Sequence, residues 1–103
     1  MDLAEFRKSL SGRTPPAGST ELLEALWYEA HGDWKRAHKI AQSQKSKAAA
    51  AVHAYLHRKE GDLSNADYWY ERAGRRRSDN PLEQEWQTLA VELLNREKNS
   101  DGG

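Results

Sequence analysis

The chain has 103 residues, carries 16 Lys and Arg against 16 Asp and Glu, contains no cysteine, and is 37% hydrophobic. That length makes one domain. The missing Cys excludes a disulfide framework, zinc ribbons and fingers, a Cys nucleophile and iron–sulfur chemistry. No apolar run approaches the roughly 20 residues that span a bilayer, MDLAEFRKSL has no signal-peptide core, and the balanced charge argues against nucleic acid or an anionic membrane as the main partner.

A small, soluble, cytoplasmic domain is expected. Mean hydropathy is low, at −1.02, a value that drifts towards disorder. Yet there are four Trp and four Tyr, and each buried aromatic removes roughly 150–250 Å² from water. A thin helical core stapled by aromatics reconciles the two.

Periodicity is helical almost throughout. Leu3, Phe6 and Leu10 mark a short N-terminal helix, and Ser11 to Gly18 is a Pro/Gly connector. Ser19 or Thr20 can cap a second helix with Leu22, Leu23, Leu26, Trp27 and Ala30 on its apolar face. Gly32 ends it, and Asp33 caps a third helix bearing Trp34, Ala37, Ile40 and Ala41. After a polar break over Gln42 to Lys47, Ser46 caps a fourth helix over Ala48 to Glu60. Gly61 and Asp62 then open a fifth with Leu63, Ala66, Trp69, Tyr70 and Ala73. Asn80-Pro81-Leu82-Glu83 starts the last helix, striped by Leu82, Trp86, Leu89, Leu93 and Leu94. The fold class is therefore all-α, with five main helices and one short N-terminal one. Residues 99–103 are expected to form a disordered tail.

The segment Ala25 to Ala37 aligns with Ala54 to Ala66 at an offset of 29, sharing the frame helix, Gly-Asp, bulky apolar, two polar residues, Ala, helix. Glycine permits the positive-φ stop, Asp caps the next helix, the apolar residue packs back, and the small Ala lets two helices approach. On these residues, with Tyr28, Trp34, Tyr70 and Ala73, the chain resembles the tetratricopeptide repeat family. The resemblance implies antiparallel helix hairpins, with repeat 1 at about 19–45, repeat 2 at about 46–78, and a solvating cap helix at about 81–97. The run from His53 to Gly74 also resembles a small bacterial and fungal group sharing a His-Ala-x-x-His-Arg-x-Glu-Gly-Asp core, a likeness that implies no activity.

Four constellations bear on function. His53 and His57 lie at i and i+4 with Glu60 a turn further on, the spacing with which paired histidines grip a metal ion, and His31 is a candidate neighbour. The plainer reading is that these histidines are hydrogen-bonded packing residues between the helices of the second hairpin. Of Tyr68, Trp69 and Tyr70, the last two fit the buried arc and Tyr68 the surface. Arg72, Arg75, Arg76 and Arg77 crowd a helix C-terminus, where they complement its dipole or bind an anion such as phosphate, an acidic peptide or RNA. The resemblance also carries over a groove, formed by Leu22, Leu26 and Glu29 with Val52, Tyr55, Arg58 and Lys59. Tyr55, Arg58 and Lys59 would suit an acidic or C-terminal peptide, unless the N-terminal helix or a second copy of the chain covers them.

No P-loop, nucleophile elbow, dinucleotide fingerprint or calcium loop is present. The sequence reads as a non-catalytic protein-interaction module with no cofactor, binding a protein or peptide partner or forming a homodimer. The alternatives are a metal- or small-ligand-binding accessory protein using His53, His57 and Glu60, or an RNA-binding helper using Arg72 to Arg77.

Overall fold

In a computed structural model describing residues 1–102, with side chains through Arg96, six helices and no strands form among the described residues. They are α1 (Leu3–Ser9), α2 (Glu21–Ala30), α3 (Trp34–Gln42), α4 (Lys47–Glu60), α5 (Leu63–Ala73) and α6 (Leu82–Gly102). Among the described residues, no helix is long and apolar enough to cross a membrane.

The starts follow the capping residues. Asp2, Thr20, Asp33, Ser46 and Asp62 each accept the amide three residues on, satisfying a donor that the first turn would otherwise leave bare. The internal repeat reappears as matching turns. Gly32 (φ 84°) and Gly61 (φ 89°) both take the left-handed conformation. Asp33 N–H then donates to Tyr28 at 2.9 Å, and Asp62 N–H to His57 at 3.0 Å. Ala37 and Ala66 are both wholly buried, as a close helix approach requires.

The apolar residue after Gly-Asp behaves differently in the two copies. Trp34 packs back, donating its Nε1–H to the Leu56 carbonyl at 2.8 Å. The shorter Leu63 has no such reach and stays 43% exposed.

Packing pairs α2 with α3 and α4 with α5, and α3 joins the pairs by lying on α4. The last helix does not do what a solvating end cap would. Its backbone lies against α4, α2 and α1, filling the face those helices share. Trp86 stacks on Phe6 at 5.7 Å and donates Nε1–H to the Leu26 carbonyl at 3.0 Å. That hydrogen bond satisfies the indole in a buried setting, so the full ring area goes to the core. Helix α5 reaches α6 through side chains, with Tyr70 Oη donating to Glu85 at 2.6 Å.

Two boundaries move. Helix α6 starts at Leu82, and Pro81 sits outside it, accepting the Glu85 amide at 3.1 Å. It also runs past 97 into the stretch expected to be a disordered tail, because no Gly or Pro interrupts it before Gly102. Gly103 lies outside the described residues. Helix α1 is not an appendage, since Phe6 is fully buried in the main core.

Trp86→Ala should cost about 3–5 kcal/mol, the usual range for removing a buried aromatic. Urea denaturation of the two proteins would read this as a lower midpoint with little change in slope.

Candidate functional site

The candidate groove is not an open surface. Leu22, Leu26, Glu29, Val52 and Tyr55 are all buried, because α6 and α1 cover that face. The two cations beside them are committed within the fold. Arg58 pairs with Glu85 at 2.8 Å and also donates to the Asn80 carbonyl, and Lys59 pairs with buried Glu29. Tyr55 Oη donates to the other Glu29 oxygen at 3.4 Å. Burial, followed by the Glu29 charge, raises the Tyr55 phenol well above its usual range, so it remains a neutral donor. Val52 and Tyr55 are therefore core residues, and Arg58 and Lys59 are paired with carboxylates within the fold. A recess of about 240 Å³ does touch Tyr55 and Lys59, but its cations Lys59 and Arg7 already face Glu29 and Glu83.

The arginine cluster is divided in the same way. Arg75 clamps Glu92 with two bonds, at 3.2 and 2.8 Å, and Arg77 clamps Asp67 with two at 2.8 Å. The Arg77 hydrogen bonds hold the exposed Asp67 carboxyl below its ordinary value. Arg76 makes no ion pair among the described residues, and Arg72 lies over the Tyr68 and Trp69 rings.

Arg72 belongs instead to a different assembly. With Lys45, Lys47, Trp69, Gln44 and Ser46 it lines a recess of about 560 Å³ where the α3–α4 connector meets α5. No carboxylate lines this recess, and none of its three cations is in an ion pair among the described residues. Glu21 stands just outside, accepting from Gln44 at 2.9 Å.

Beneath Trp69 lies a histidine cluster. His53 and His57 point from one face of α4, as their spacing requires, and His38 meets them from α3. One ring nitrogen from each lies within 4.8 Å of the other two. His38 Nε2 and His53 Nε2 are 2.9 Å apart, a hydrogen bond in which one neutral ring donates to the other. Trp34 stacks on His38 at 4.8 Å and Trp69 on His53 at 3.9 Å, so indoles fix the two ring planes. Glu60 Oε1 stands 3.5 Å from His57 Nδ1, and a carboxylate oxygen of Asp62 lies within 4.8 Å of a His57 ring nitrogen and of Glu60. Burial, then the neighbouring His38 and His57, pushes His53 down to about 4. Burial and His57 also lower His38, against the opposing pull of Glu60.

His31 is not part of this cluster. It stacks on Trp27 at 3.8 Å and bonds the Trp27 carbonyl through Nδ1. His38, which spacing did not single out, takes its place. The usable signal was symmetry: His38 and His53 are equidistant from the Lys45–Ser46 junction between α3 and α4, and their Nε2 atoms meet at 2.9 Å.

No protein-family model, curated protein or solved structure matches the chain.

His53 supplies a pH dependence. Between its folded value near 4 and the ordinary 6.5, the unfolded chain takes up a proton that the folded chain refuses. Its contribution is therefore whole above about pH 6.5 and is lost as the pH falls towards 4. With a chelator present, acidification across that window should remove on the order of 2 kcal/mol of stability. The slope of Tm against pH should flatten in His53→Gln.

Proposed function

We propose that this chain is a non-catalytic helix-hairpin module that binds an acidic segment of a partner protein through the recess of Lys45, Lys47 and Arg72. The observation that carries this reading is charge without compensation: three unpaired cations share one concavity lined by no carboxylate, on a chain whose net charge is zero. By contrast, Arg7, Arg58, Lys59, Arg75 and Arg77 are each paired with a carboxylate within the fold. The N-terminus of α4 opens onto the same recess at Ser46 and adds its partial positive charge. Trp69 gives an apolar wall against which the stem of a Glu or Asp side chain can lie. The tetratricopeptide resemblance fits an interaction role in the cytoplasm, with the docking surface moved from the expected groove to the hairpin connector.

Such a site acts by charge complementarity, so salt weakens it and like charge abolishes it. A fluorescent Glu/Asp-rich peptide should bind with an affinity that falls as salt rises. The variant Lys45→Glu/Lys47→Glu, which alters only exposed positions, should bind at least roughly tenfold more weakly, about 1.4 kcal/mol. Undiminished binding by that variant overturns the assignment. A single-stranded RNA that displaces the peptide would transfer the same recess to phosphate recognition.

A further inference from the structure

The histidine cluster poses an energetic question that packing does not answer. Three imidazoles converge from two helices into a space bounded by Trp34 and Trp69, where aliphatic side chains would fill the volume without polar cost. Only one hydrogen bond, His38 to His53, links the three rings. His57 is 93% buried by its side-chain exposure of 7%, and its Nδ1 has no hydrogen-bond partner, since Glu60 stands off at 3.5 Å. A buried polar nitrogen without a partner is a cost that folded proteins rarely carry without use.

We propose that His38, His53 and His57 form a three-nitrogen site for a divalent transition ion of the zinc class, with Glu60 as the outer partner of His57. The donor chemistry fits this class: neutral imidazoles suit zinc, cobalt, nickel and copper, whereas calcium and magnesium ask for oxygen. Three protein nitrogens also leave a fourth position for water.

The geometry is close to what such an ion needs. Bonds of about 2.0–2.1 Å in a tetrahedral arrangement place ligand atoms about 3.3 Å apart. The His38–His53 separation of 2.9 Å therefore has to open by about 0.4 Å, and the spacings to His57, all within 4.8 Å, have to settle at the same value. Ring rotations about χ2 supply movements of this size. Glu60 completes the logic. A metal-bound histidine characteristically gives its second ring N–H to a carboxylate, and a small approach by Glu60 would make that bond with Nδ1, leaving Nε2 of His57 its lone pair for the ion. His38 is the partly exposed member of the trio and gives the ion a way in. Bound there, the ion would tie α3 to α4, and hence the first hairpin to the second.

The test uses untagged protein stripped with a chelator and returned to metal-free buffer. Titration with Co²⁺ should give the visible absorption of tetrahedral cobalt, saturating at one ion per chain. Zn²⁺ should then displace the cobalt and raise Tm. His38→Ala, a substitution outside the fully buried core, should keep native helicity by circular dichroism and lose at least roughly a hundredfold in Zn²⁺ affinity. Glu60→Gln should lose roughly tenfold. His31→Ala, at a histidine outside the cluster, should bind as the parent does. A metal-free parent that takes up no stoichiometric Co²⁺ or Zn²⁺ overturns the proposal, as does a folded His38→Ala protein that binds both ions as tightly as the parent.

Discussion

The carboxylate of Glu85 is the junction on which the arrangement depends. It is 7% exposed, yet it sits on α6 between Arg58 of α4, at 2.8 Å, and the Tyr70 hydroxyl of α5, at 2.6 Å. Burying a carboxylate is costly unless charge and hydrogen bonds are both returned to it, and here one cation and one hydroxyl do so. Burial and Glu85 together keep the Tyr70 phenol protonated, so its donation persists across the neutral and alkaline range. This junction sets the register of α6 against the second hairpin. One residue further on, Trp86 can then reach both Phe6 and the Leu26 carbonyl.

Once α6 is fixed there, the distribution of function follows. The face that carries Leu26 and Tyr55 is filled from within, and the basic residues beside it, Arg58 and Lys59, are paired with the internal carboxylates Glu85 and Glu29. What stays chemically available lies on the opposite side of α4, towards α3 and α5: the uncompensated cations of the connector and, under Trp69, the three histidines. Trp69 belongs to both places, lining the cationic recess and stacking on His53.

The helices, their caps and the two Gly-Asp turns were legible because they are set by local chemistry. A capping Asp, a left-handed glycine and a buried Ala each leave a mark within a few residues. The groove was not legible for the opposite reason. Whether Tyr55 faces solvent depends on where a helix some thirty residues later comes to rest, and Leu82 to Leu94 show only that the helix is amphipathic, not which face it covers. The histidine site was half legible. The i, i+4 pair His53 and His57 is a local pattern, whereas His38 joins them from a second helix, and His31, which the repeat offset matches to Glu60, stacks on Trp27 outside the cluster. Arg75 and Arg77 read in sequence as complements to the helix dipole or as an anion site, and both pair with carboxylates, Glu92 and Asp67, that tertiary structure brings near.

The bonds that close the core span the chain. Trp86 to Leu26 bridges 60 residues, and Arg7 reaches Glu83 and Gln87 across 76 and 80. Hairpins built from near neighbours can form early, while such distant pairings wait on loop closure. During synthesis the N-terminal helix and both hairpins leave the ribosome before the segment that seals them. Until Trp86 emerges, Phe6, Leu26 and Tyr55 lack their cover, so the arrival of α6 decides when the nascent protein stops presenting a bare apolar face to the cell.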